Sequence, residues 1–286
     1  MNGFEATVAK LCNTSVRDYI NPYSYLEWPE TIDVEQWYTS PELISLYGTP
    51  LYDSLSLAEQ KRLSFYEAIN FFSLNIHGEK SLIEGLAQRL YRRGNDTISP
   101  YIHHFLDEEN KHMTYFGGFC MRYAGKVYSD RKMVFPREYA PGEEEVLFFA
   151  KVLVFEEIVD VYNKRMAKDE RLVPIARQIN FLHHRDESRH LAFGRLHLKN
   201  LFAKYAPTWR AETRDGVSEY LKNYIATTWK EYYNPAAYKD AGLDNPFDIQ
   251  EEFFRSDVAK THRKQISTAC IRFLTETGIL GEVPQV

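Results

Sequence analysis

Two glutamate and histidine pairs share one spacing: Glu109 with His112, and Glu187 with His190. Three residues turn a helix through about 300°, so each pair leaves one helix face as neighbours and can grip one cation. A single E-x-x-H usually lies on a solvated surface and carries little weight. Two of them on separate helical stretches make half of a di-metal carboxylate set, whose other half is one glutamate from each of two further helices. Four carboxylates neutralise two divalent cations and can bridge them, and imidazole adds a borderline donor. That mixture suits iron, whereas zinc needs fewer ligands and magnesium needs no histidine. Manganese, alone or paired with iron, meets the same donors.

His183 extends the second pair. Relative to His183, Glu187 falls at about 40° and His190 at about −20°, so the three occupy one stripe and can converge on one metal. The run from Asp186 to His190 reads D-E-x-R-H. Asp186 is placed to accept a histidine N–H, and Arg189 is near enough on the helix to pair with it. The plainer reading, an exposed ion pair between the two, stands beside it.

These residues need helices to hold them. Apolar residues Phe65, Ile69, Phe72, Ile76, Ile83 and Leu86 recur at three- and four-residue intervals and predict a helix over 57–93, ended by Gly94-Asn95-Asp96. Ser99, as an N-cap before Pro100, opens a second helix to about Tyr123. Glu143, Glu144 and Glu145 complement the positive end of a third, running from Gly142 to about Lys168. Pro174 begins a fourth that reaches about Lys204, Pro207 begins a fifth, and a last helix covers 247–277, stopped by Gly278. The first 50 or so residues, rich in proline and scattered aromatics, read as an irregular arm. Strand signals are weak throughout. The expected class is all-α, a ferritin-like helical bundle with additional helices. The whole of 1–286 reads as one domain, with the metal-binding helices in 57–204 and the additional ones in 207–280.

Level along the axis selects the two missing glutamates. In an antiparallel hairpin, residues equidistant from the loop lie side by side. With the first loop centred near Asn95, Glu79 lies about 16 residues before it and Glu109 to His112 about 14 to 17 after, roughly 24 Å either way. With the second centred near Arg171, Glu156 lies about 15 residues before and Glu187 about 16 after. Both levels match. Glu84 is turned away from Glu79, and Glu67 lies about 18 Å below it. Glu157 competes with Glu156, which is preferred. Glu108, rotated about 100° from Glu109, is expected on the exposed side. His77, His103, His104, His184, His197 and His262 receive no role.

The bulk composition excludes other classes. A net charge of −5 with no long basic run lacks the footprint of a nucleic-acid binder. Cys12, Cys120 and Cys270 are too scattered for a C-x-x-C site and too few for a disulfide framework. No apolar run approaches the roughly 20 residues of a membrane span, and no secretory leader is visible. A soluble, cytoplasmic protein is the expectation, with no membrane partner.

The stretch from Leu43 to Leu201 resembles the p-aminobenzoate N-oxygenase (AurF-like) di-iron oxygenases. The likeness rests on E-A-I-N-F-F-S-L-N-I-H-G-E at Glu67 to Glu79, E-x-x-H at Glu109 to His112, F-E-E at Phe155 to Glu157, and H-x-x-x-E-x-x-H at His183 to His190. It implies that Glu79, Glu109, His112, Glu156, His183, Glu187 and His190 hold two irons, with Glu109 and Glu187 as bridges. It also implies oxygenation of a small-molecule amine at nitrogen by O2, through a peroxo di-ferric species, in a homodimer. No glycine-rich dinucleotide fingerprint is present, so electrons are expected from an external reductase or ferredoxin-like donor. A ferritin-like oxygenase acting at carbon is the nearest rival, with His183 favouring nitrogen. An iron-storage ferroxidase is disfavoured by the extra chain length and the aromatic content.

Overall fold

The computed structural model describes residues 3–130 and 137–285. Among these residues the regular structure is helical, apart from an isolated bridge between Trp37 and Leu172. The chain opens with α1 (Gly3–Arg17) and a short α2 (Pro50–Ser54). Four long helices follow: α3 (Leu57–Ala87), α4 (Ser99–Tyr123), α5 (Glu143–Met166) and α6 (Pro174–Tyr205). Outside them lie α7 (Ala211–Tyr232), α8 (Pro235–Asp240), α9 (Pro246–Phe254) and α10 (Asp257–Glu276).

The class and the four-helix core agree with the sequence, and the differences have local causes. The opening segment is irregular only after α1, which occupies its first third. All its prolines come later, and Val8, Leu11 and Ser15 bury one stripe. α3 starts behind a capping box of Ser56 and Glu59 but stops at Ala87, short of Arg93. There Arg89 folds back, donating to the Gly85 carbonyl at 2.9 Å and to Glu145 at 2.8 Å, which caps the end and ties α3 to α5. Ser99 is the first residue of α4, not its cap. Its hydroxyl accepts from the Tyr91 backbone N–H and donates to the Asn95 carbonyl. Pro207 sits in a single 3-10 turn, and α7 begins only at Ala211. The expected last helix is two, because Ser256 turns extended and caps α10 by accepting from the Ala259 N–H.

α3 pairs with α4, and α5 with α6, across short connections, giving two antiparallel hairpins packed face to face. Gly142 allows the second to start, since its φ of 77° and the Tyr205 ring against it leave no room for a side chain. α1 leans on α4 and α6, and α7 and α10 cover α5. No helix among the described residues is long and apolar enough to cross a membrane.

Candidate metal centre

The seven expected ligands meet between the two hairpins, and every one is buried. They fall into two groups. Glu79 of α3, His112 of α4 and His183 of α6 form one, and Glu109 of α4 with Glu156 of α5, Glu187 and His190 of α6 form the other. The stripe on α6 is divided between the two groups, His183 in the first and Glu187 with His190 in the second. His183 and His190 are seven residues, about 10 Å, apart along the axis and approach the centre from opposite ends of Glu187. Glu187 serves both groups: its Oε1 lies 3.0 Å from His183 Nε2, 3.5 Å from His112 Nδ1 and 3.2 Å from His190 Nδ1. Glu109 spans them too, with one oxygen 2.9 Å from His190 Nδ1 and the other 3.5 Å from His112 Nδ1.

Each histidine presents one nitrogen to the centre and anchors the other. His112 turns Nδ1 inward, and its Nε2 reaches Asp186 at 3.4 Å. His190 does the same, with Nε2 on Glu108 at 2.8 Å. His183, two turns before His190 on α6, turns Nε2 inward, while the Asn163 side-chain amide holds its Nδ1. Arg189 donates to Glu108 at 2.6 Å and to Asp186 at 2.7 Å, so one guanidinium steadies the carboxylates behind two histidines. Asp186 and Arg189 thus form a buried pair, not an exposed one. Lys111, also buried, lies 3.5 Å from Asp186.

Glu108 corrects the sequence reading, which placed it on the exposed side. It is 1% exposed. Its partners lie on another helix, so no spacing within α4 points to it. Asn163 was also missed, although it follows Glu156 by seven residues and so returns to the same face of α5. Glu157 turns from the centre to pair with Arg195, which leaves Glu156 to the cluster. Glu67 is buried but remote, bonded to Ser45. Of the histidines without a role, His184 pairs with Asp160, and His262 bonds Tyr162.

The donor set fits two cations. Both oxygens of Glu79, Glu109 and Glu156, with His112 Nδ1 and His183 Nε2, are buried without a hydrogen-bond partner. So many buried polar atoms left unpaired are costly unless something binds them. Burial, and then the neighbouring carboxylates, hold Glu79 and Glu156 well above the usual carboxylate range. Burial raises Glu187 as well, but His190 and His183 outweigh it and draw it down. His190 is raised despite its burial, because Glu187 and Glu109 face it. Burial would lower His112, yet Asp186 on its Nε2 and the Glu109 carboxylate facing its Nδ1 lift it to about 9. For Glu108, burial is overcome by His190 and Arg189, which bring it down to about 2. Positive charge is wanted at this centre, and two divalent metals supply it. Phe105 stacks on His190 at 3.9 Å and Phe116 meets the His183 ring edge-on at 4.9 Å, walling out water.

Residues 2–278 match the family described as p-aminobenzoate N-oxygenase AurF. No curated protein matches the sequence. Among solved structures, a point mutant of an R2-like ligand-binding oxidase with an aerobically reconstituted Mn/Fe cofactor aligns over 96% of this chain and 93% of its own. The identity is 16% and the TM-score 0.48.

Proposed function

The chain belongs to the p-aminobenzoate N-oxygenase AurF family, and from that premise we propose that this di-iron oxygenase inserts oxygen at the nitrogen of a small-molecule amine. The first step balances as R–NH2 + O2 + 2e− + 2H+ → R–NHOH + H2O. The two electrons come from an external donor of the reductase or ferredoxin type. Iron held by the four glutamates and three histidines would supply the redox chemistry that dioxygen activation needs.

The protein residues set the stage for this. Glu79, Glu109, Glu156 and Glu187 offer four negative charges from four helices, and the three histidines keep one nitrogen each for metal. Glu108 and Asp186 accept the outward N–H groups of His190 and His112, which fixes both rings with their inward nitrogens turned to the carboxylates. Phe105 and Phe116 keep water from the centre.

The observation that carries the reading is His183, a third histidine with an unpaired Nε2 directed at the carboxylates. It goes beyond the four-glutamate, two-histidine set of ferritin-like centres in general. The test is anaerobic incubation of the iron-loaded, reduced protein with a panel of amines, then 18O2 and mass spectrometry. An 18O atom on nitrogen is expected. Label on carbon, or iron oxidation that ignores every amine, would refute the proposal.

A further inference from the structure

A cavity of about 790 Å³ runs along the seam of α3, α5 and α7. Two of its lining residues, Gly78 and Phe155, immediately precede the buried Glu79 and Glu156. The Phe155 ring lies so close over Gly78 that any Cβ there would overlap it. One turn of the same pattern recurs seven residues away, where the Phe148 ring covers Gly85. In both pairs the numbers sum to the same value, as antiparallel helices in register require. These glycines are holes and these phenylalanines are knobs, and the Phe155 knob closes the α3–α5 seam at the depth of the ligands.

The geometry points to this cavity as the seat of the substrate body, with Phe155 setting which groups pass Gly78 to the metals. The inference rests on the oxygenase reading and adds to it the class of substrate. The volume lies high in the roughly 300–1,000 Å³ range of sites for drug-sized ligands, far beyond what a one-ring amine fills. Leu74, Val152 and Phe148 offer apolar surface, and Ser81, Asn223 and Thr227 offer hydrogen bonds along the same walls. The fitting substrate is an amine on a multi-ring body with polar substituents.

Anaerobic binding to the di-ferrous protein separates this from turnover. 4-Aminobiphenyl should bind at least ten-fold more tightly than aniline. Val152→Trp, which fills the cavity from α5, and Thr227→Trp, which fills it from the exposed side of α7, should each weaken that binding at least ten-fold. Phe155→Ala should speed iron extraction by a chelator at least ten-fold, a readout that needs no substrate. Equal binding of the two amines, or wild-type binding in both tryptophan variants, would overturn the cavity assignment. An unchanged extraction rate in Phe155→Ala would overturn the gate. If the binding results hold and added oxygen still leaves nitrogen unlabelled, the oxygenation reading fails while the cavity assignment survives.

Discussion

Glu109 and Glu79 are both buried carboxylates with unpaired oxygens, yet they should behave differently on removal. Glu109 faces His190 with one oxygen and His112 with the other, whereas Glu79 approaches only the group of His112 and His183. Read as a bridge, Glu109 belongs to both metals. Glu109→Ala should therefore cut iron from about two per chain to near zero, and Glu79→Ala to about one. Metal analysis after anaerobic iron loading decides it, and a Glu109→Ala protein that keeps one iron or more would refute the bridging role. At this scale the sequence was informative where ligands share a helix, since Glu187, His190 and His183 are tied by fixed angles. It was silent on Glu108, whose bonds to His190 and Arg189 cross from α4 to α6. It also left open whether Glu156 or Glu157 turns inward, which depends on Arg195 drawing Glu157 away.

Among the elements, α3 carries a metal ligand in its second half and a different burden in its first. Glu67 is buried there against Ser45, whose hydroxyl also meets Tyr238 of α8 at 2.7 Å. Burial, only partly offset by the Ser45 hydrogen bonds, pushes its carboxyl up to about 7. The folded value exceeds the unfolded one, so the folded state binds the extra proton between them. The stabilisation is full below about pH 4.5 and is lost as pH rises through 7, on the order of 3 kcal/mol in all. Glu67→Gln cannot ionise, so its unfolding free energy should fall less than that of the wild type between pH 5 and 8. Denaturant titrations of both proteins across this range test the difference, and parallel pH profiles would sink it. Helix positions were legible where charge or proline marks a start, as at Glu143 and Pro174. They were not where tertiary bonds intervene. Arg89 ends α3 early by reaching Glu145 on α5, and the break at Ser256 rests on a cap within a continuous helical pattern. The levels of Glu79 and Glu156 survived these errors, because a hairpin's register depends on its loop and not on where each helix frays.

For the whole molecule, the match over residues 2–278 makes the chain a member of one oxygenase family. Within the chain the metals have a mechanical role. Packing inside each hairpin is more extensive than packing between them. Between the hairpins lie four buried carboxylates, one from each of α3, α4, α5 and α6, whose mutual proximity raises the cost of ionising Glu79 and Glu156 without cations. Two metals would convert that seam into a staple. At a free concentration 100-fold above Kd, each ion adds about 2.7 kcal/mol, so two add roughly 5 kcal/mol and raise Tm by on the order of 10 °C or more. The loss on iron removal should be local before it is global. Helices α7 to α10 contribute no ligand and hold their place through apolar contacts such as Trp229, Ile266 and Leu274. Hydrogen exchange after anaerobic chelation should therefore accelerate around Glu79, Glu109, Glu156 and Glu187 together, with α7 and α10 keeping their protection. Acceleration confined to one hairpin, or spread evenly through α7 and α10, would mean that the metals do not join the two halves. An unchanged Tm would mean that the carboxylates are stable without them, each holding a proton in place of its share of metal charge.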